Sequence, residues 1–243
     1  MGLFGKMFEK KYCDVCGGDL GIVVDHKLAD GNLCKECAKK LSPFFSGYKS
    51  TTLEAIKDQL DYREANKDRV AAFNVTRTYG DNTKLMIDED KKQFIVTSAS
   101  KWRDANPDVI DFSQVTGCNY EMKERKTEIK RDMPDGTKQS YTPPRYDYDY
   151  DFYVTINVNS PFFREIEFKV NNQSIDDARS FKFADVERQC KEIKETISGI
   201  QQEIREQRAA EAAPKQVVTC PYCGGITTPT ANGCCEWCGA PVR

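Results

Sequence analysis

A single histidine, His26, is all the imidazole that this 243-residue chain contains. Hydrolases of the Ser-His-Asp or Cys-His kind would have to recruit it. It falls between two pairs of cysteines, where loop packing is the plainer role. Also missing are GxxxxGK[ST], GxGxxG and HExxH, so neither a phosphate cradle nor a histidine-held catalytic metal has a carrier here. No apolar run approaches the ~20 residues that cross a bilayer. The opening stretch MGLFGKMFEKKYCDVC has neither the apolar core nor the small-residue cleavage site of a secretory signal, which leads us to expect a cytosolic, reducing environment. An excess of basic charge is absent too: the formal net charge is −2, whereas a nucleic-acid binder needs a basic footprint. The expectation is a protein that is not an enzyme, with no catalytic and no organic-cofactor residues.

Cysteine, by contrast, is plentiful, with 11 residues. Eight form four Cys-x-x-Cys pairs: Cys13/Cys16 and Cys34/Cys37 near one end, separated by 17 residues, and Cys220/Cys223 and Cys235/Cys238 near the other, separated by 11. Two close pairs brought together by turns are what a tetrahedral zinc ion needs, so two structural zinc sites are the leading reading. A rubredoxin-like iron site and disulfide or redox chemistry are the alternatives. Glycine follows a ligand in Cys16-Gly17-Gly18, Cys223-Gly224-Gly225 and Cys238-Gly239, where the backbone must turn so that amides point at sulfur. Cys234 breaks the two-residue gap and is read as the spare beside Cys235. Cys118 and Cys190 lie in apolar patterns and are read as buried structural residues.

Eight thiolates against two divalent ions would carry the net charge from −2 to about −6. Lys10, Lys11, Lys27, Lys35, Lys39 and Lys40 of the first module are interleaved with Glu9, Asp14, Asp19, Asp25, Asp30 and Glu36, and the last module has only Lys215 and Arg243 at its margins. Nucleic acid is therefore an unfavoured partner. The last module is shorter than the ~40 residues below which a core needs a metal or disulfide, and the first is close to that limit.

The organisation reads as five parts. Residues 1–45 form a four-cysteine zinc-ribbon-like domain, 46–72 a linking amphipathic helix, 73–208 a β-rich domain with a closing helix, 209–216 a linker and 217–243 a second zinc ribbon. Ser42-Pro43 should end a small helix begun at Cys34. Thr51 and Thr52 precede Leu53, Ile56 and Leu60, the spacing of a capped helix running to about Asn66. FNVTRTYG, KLMID, QFIVTSA, VTGCNYEMKERKTEIK, YDYDFYVTINV and FREIEFKV are six strand candidates divided by turn residues such as Asp135-Gly136. Phe152, Val154, Ile156 and Val158 alternate with Tyr153, Thr155 and Asn157. The fold class expected is α+β: an antiparallel sheet or partly open barrel, with 130–144 as a protruding hairpin, closed by a long helix from about Phe181 to Arg208. That helix carries an apolar seam through Phe183, Val186, Cys190, Ile193, Ile197, Ile200 and Ile204. The seam suits a core stripe, with a dimer seam as the alternative.

CDVCGGDLGI, DGNLCKECAKKLSPFF, FNVTRTYG and IDFSQVTGC resemble bacterial proteins that carry an N-terminal domain of unknown function numbered 4428, a four-cysteine ribbon-like module. The hairpin LMIDEDKKQFIV, the VIDFSQVTGC segment, the late strands and the closing helix resemble bacterial pleckstrin-homology-like domains. That second resemblance implies a partly open barrel capped by a helix. The first implies no activity, so function rests on the residues themselves.

Those residues favour a non-enzymatic zinc-binding interaction or adaptor protein with an unidentified protein partner. A nucleic-acid-associated zinc-ribbon factor is the alternative, and a thiol redox or metal-transfer protein a further one. Asp147, Asp149 and Asp151, alternating with Tyr146, Tyr148 and Tyr150, read as the solvated face of an edge strand or as a recognition edge for a basic peptide. Leu3, Phe4, Met7 and Phe8 beside Lys10 and Lys11 could rest on an anionic bilayer, so contact through residues 1–11 at the membrane periphery is a further expectation. Arg77, Lys84, Lys91 and Lys92 are too dispersed to form a phosphoinositide pocket.

Overall fold

Thr52 caps a helix whose two ends serve two cores, and the fold of the first 201 residues is organised around it. The computed structural model describes residues 11–21, 25–212, 217–230 and 232–242. The stretch through Lys10, for which membrane contact is an expectation, and the end of the 209–216 linker lie outside them. The chain divides into two compact units, Met1–Gln201 and Gln202–Arg243.

In the first unit, β1 (Lys11–Tyr12) pairs antiparallel with β2 (Asp19–Gly21), and β3 (His26–Lys27) with β4 (Asn32–Leu33). Helix α1 (Lys35–Ala38) is a single turn capped by Cys34. It ends at Ala38, earlier than the expected stop at Ser42-Pro43, because Lys39 and Lys40 turn back with amides donating to Lys35 and Cys37 carbonyls. Helix α2 (Leu53–Ala71) begins with the Thr52 hydroxyl accepting from the Ala55 amide at 3.3 Å, and the Asp30 carboxylate accepts from the Leu53 amide at 2.7 Å. Its first turn contributes Ile56 to a cluster with Cys13, Leu28, Leu33, Cys37 and Leu41. Its last turn contributes Val70 to another with Phe73, Met86, Ile95 and Val109.

Seven strands follow. β5 (Arg77–Tyr79), β6 (Lys84–Asp88), β7 (Gln93–Thr97) and, after the short α3 (Trp102–Ala105), β8 (Ile110–Asp111) form a four-stranded antiparallel sheet in sequence order. β9 (Val115–Asp132), β10 (Lys138–Val158) and β11 (Glu165–Lys169) form a three-stranded sheet with β10 in the middle. Neither sheet is closed. Six strands were expected; β8 is the seventh, two residues too short to leave an alternation. Phe152, Val154, Ile156 and Val158 are buried as their alternation predicts. The β9–β10 hairpin turns at Met133–Thr137 (Gly136 amide to Met133 carbonyl, 2.9 Å). The protruding arm is longer than 130–144, since both strands are exposed outward from about Glu121 and Tyr146.

Helix α4 (Phe181–Ala212) starts where the Ser180 hydroxyl accepts from the Phe183 amide. Val186, Cys190, Ile193, Ile197 and Ile200 are buried, while residues 205–212 are exposed. The helix bridges the two sheets. Tyr79 on β5 bonds Thr196 at 3.0 Å, Lys194 reaches Asn119 on β9, and Phe183 meets Phe152 on β10 edge-on at 5.0 Å. The seam is thus a core stripe over its first two thirds. In the second unit, β12 (Val218–Thr219) and β13 (Ile226–Thr227) make one antiparallel hairpin.

Candidate metal centres

Three of the four Cys-x-x-Cys pairs are the same turn. In the first, the Gly17 amide donates to the Cys13 carbonyl (2.7 Å) and the Cys13 amide to the Gly18 carbonyl (2.8 Å). Gly224 repeats this on Cys220, and Gly239 on Cys235, each at 2.9 Å. All three glycines have φ between +71° and +73°, the left-handed region that disfavours a Cβ. The fourth pair differs. Cys34 is the N-cap of α1 and Cys37 lies in its first turn, with the Cys37 amide donating to Cys34 Sγ at 3.3 Å. The first cluster therefore joins a knuckle to a helix start, and the second joins two knuckles.

Each set converges. Cys13, Cys16, Cys34 and Cys37 place their sulfurs within 4.8 Å of one another, and so do Cys220, Cys223, Cys235 and Cys238; both groups could hold a metal ion. Cys16 and Cys34 sulfurs are 3.7 Å apart, those of Cys220 and Cys238 3.6 Å, and those of Cys223 and Cys235 3.8 Å. A disulfide needs about 2.05 Å. Four sulfurs held tetrahedrally at the ~2.3 Å typical of zinc–thiolate bonds would lie ~3.8 Å apart, so the donor set fits such an ion in type, number and spacing.

Protonation in the clusters follows from crowding four thiols together. Burial pushes the Cys13 thiol up, but amide hydrogen bonds from Cys16, Cys34 and Val15 outweigh it and bring it down to about 6. Burial, with thiol contacts to Cys34, Cys16 and Cys13, raises Cys37. In the second cluster burial acts against the Cys238 and Trp237 amides and the Thr227 hydroxyl, which together bring Cys235 down to about 6. The Ala240 amide lowers Cys238, yet burial and its thiol neighbours push it up to about 12. Some thiols are driven toward thiolate while others are held neutral; a bound cation is what would let all four ionise together.

The remaining cysteines lie apart. Cys234 Sγ contacts the Asn232 carbonyl at 3.7 Å and belongs to neither set. Cys118 and Cys190 are buried, and burial raises their thiols to about 11 and about 12, which leaves them inert. His26 belongs to neither set; it stands on β3 and stacks on Tyr48 at 4.3 Å. Asp149 and Asp151 are ion-paired with Arg125 and Lys169 at 2.7 and 2.6 Å. Tyr148 and Tyr150 stack on each other along β10 at 6.4 Å. β10 pairs with β9 along one side, and on the other Tyr150 is bridged to Ile175 by two main-chain bonds of 2.8 and 3.1 Å, so the edge-strand reading holds only for Tyr146–Asp149, on the side away from β9.

A polar stripe on α2 is a feature that pattern reading missed. Arg63, with its side chain 9% exposed, bonds the fully buried Asp108 at 2.8 Å and the Lys40 carbonyl at 3.2 Å, and Ser42 bonds the other Asp108 oxygen at 2.7 Å. One helix turn on, the Asn66 amide donates to the Asn106 side chain and the Pro107 carbonyl and accepts from the Val109 amide. The segment after Cys37, the helix and the loop before β8 are thereby locked together. Only the helical spacing of Ile56, Gln59, Arg63, Asn66 and Val70 could have revealed it, and the polar members disguise it.

Residues 11–59 match a family model described as a domain of unknown function, DUF4428. That segment holds the first cluster and the opening turns of α2. Neither a curated protein nor a solved structure matches the chain.

Proposed function

We propose that this chain is a zinc-stabilised, non-enzymatic adaptor whose central domain and cysteine modules present surfaces to a protein partner in the cytoplasm. The observation that carries the reading is the closed donor set. Four sulfurs spaced for a tetrahedral ion leave no open coordination position, the feature that separates structural from catalytic zinc. A four-stranded sheet followed by a three-stranded sheet and a long helix supports the pleckstrin-homology-like reading of the centre. Residues 217–242 contain no lysine or arginine, which weighs against a nucleic-acid role for the last module.

The test is elemental analysis of reduced, chelator-free protein. Two zinc ions per chain are expected, unchanged by replacing Cys234; one ion or none would sink the reading, and iron would redirect it. Alkylation at neutral pH separates the redox alternative, since structural zinc should shield all eight ligands, whereas a redox protein would lose thiols with its metal in place.

A further inference from the structure

Strand β11 is the outer strand of its sheet, paired among the described residues with β10 alone. The Val158 amide donates to the Arg164 carbonyl and the Val170 amide to the Phe152 carbonyl, and β10 and β11 keep an unbroken one-to-one register between them. In an antiparallel pair, main-chain groups alternate between facing the partner and facing away. Arg164, Ile166, Phe168 and Val170 therefore face β10, and the N–H and C=O groups of Glu165, Glu167 and Lys169 face outward. Among the described residues no strand pairs with them.

That edge opens into a groove rather than into bulk solvent. A cavity of about 800 Å³ is lined by Glu167, Phe168 and Lys169, and one of about 520 Å³ by Glu165 and Glu167; Phe44 borders both. The larger cavity is also lined by Val96 to Ala99, at and just past the end of β7. There a second edge is open. The Phe112 amide bonds the Lys92 carbonyl and β8 pairs only with Gln93 and Phe94, so the outward groups of Val96, next on that side, meet no strand.

We infer that this groove takes an extended segment of a partner polypeptide as an added strand on β11. The inference deepens the adaptor reading and rests on it for its biological sense. Charge selects the segment. Glu165 has no ion pair among the described residues and Glu167 only a long one, 3.8 Å from Lys123; the larger cavity is also lined by Lys39 and Lys35, and by Lys169, which is held by Asp151 at 2.6 Å. Lys35 and Lys39 are paired with exposed acids at 3.6 and 2.7 Å, contacts weak enough to be exchanged for a ligand carboxylate. Phe44, Phe168 and Val96 supply apolar wall. The segment is thus apolar at alternate positions, basic beside Glu165 and Glu167, and acidic toward Lys35 and Lys39. Charged residues on an edge strand discourage indiscriminate pairing; here the same charges favour a complementary sequence over others.

The test uses the full, metal-loaded chain and two capped eight-residue peptides. Both alternate valine with two lysines, a threonine and a glutamate, one with the lysines first and one with them last, to sample both strand directions. Amide exchange is followed by NMR. At about 1 mM peptide, where even weak contacts are populated, one of the two should slow exchange at Glu165, Glu167 and Lys169 at least tenfold. Glu167→Pro removes an outward N–H and no bond to β10, so it should abolish that protection while Val154 and Ile156 stay protected. Glu165→Lys with Glu167→Lys should also abolish it. Three amides already slow in the free chain, or unchanged by either peptide, would overturn the inference. So would protection that grows with protein concentration alone, which would assign the edge to a second copy. A count of two zinc ions with no protection would overturn strand addition and leave the adaptor reading standing.

Discussion

The two four-cysteine clusters offer the same four thiols at almost the same sulfur spacing, yet they are supported differently. Cys13 and Cys37 share a buried cluster with Leu28, Leu33, Leu41 and Ile56, and the Arg63–Asp108–Ser42 network fastens that module to the loop before β8. Cys220 and Cys235 are buried with only Val218 and Val242, while Tyr222, Ile226 and Trp237 are each about 70% exposed. A metal bound at the first cluster would be one contributor to a larger core, and at the second almost the whole of a small one.

Stripping the metal should widen that difference most. Binding energies of structural zinc are on the order of 10 kcal/mol, so chelation should be the largest perturbation. We expect the second ion to leave at lower chelator concentration, with loss of hydrogen-exchange protection confined to 217–242. Loss of the first, or Cys37→Ser, should lower protection through β1–β4 and α2 and reduce the melting temperature of the whole first unit. If exchange instead shows the second module surviving the first, the contrast drawn from packing is wrong.

Next in size is the buried ion pair. Arg63→Ala leaves Asp108 buried and uncompensated and should cost about 3–5 kcal/mol in denaturant unfolding. Asp108→Ala should cost a similar amount, and the double variant less than the sum. Additive losses would mean that the pair is not coupled.

Gln59 tests the same helix from the other direction. Its side-chain nitrogen and oxygen are buried without a hydrogen-bond partner, a desolvation cost of about 1–3 kcal/mol. Gln59→Leu should therefore raise the denaturation midpoint of the first unit, and a lower midpoint would show that the amide is satisfied in solution.

The smallest effect is the sharpest comparison. A Cβ at Gly17 or Gly224 meets nothing within 4 Å, so alanine at either position adds only the left-handed backbone cost of about 1 kcal/mol. Gly224→Ala should weaken the second metal site several-fold in competition titration. Gly17→Ala should weaken the first by less, because its packed surroundings hold the turn. Equal losses would erase the distinction.

Much of this could be read directly from residue order. Cysteine spacing and the glycines behind it are local chemistry, since a knuckle is closed by its own amides, and so the two four-cysteine groups, with Cys234 outside them, were legible. The alternation of Phe152 to Val158 and the seam of α4 were legible for a related reason: a regular element repeats its buried face at a fixed period. Two-residue β8 carries no period, and the buried polar run Gln59, Arg63 and Asn66 imitates a solvated helix face. Whether such residues lie inside depends on partners such as Asp108 and Asn106, some 40 residues away in sequence.

Residue order by itself thus determined where the cysteine pairs, turns, most strands and the long helix fall, because each follows from contacts within a few residues. Only the tertiary structure decided that one cysteine module is built into a larger core while the buried cluster of the other adds just Val218 and Val242 to its cysteines, and that β11 ends the sheet as an edge beside a groove. Those outcomes depend on which distant surfaces meet, and burial, ion pairing and strand order are set by that meeting rather than by local preference.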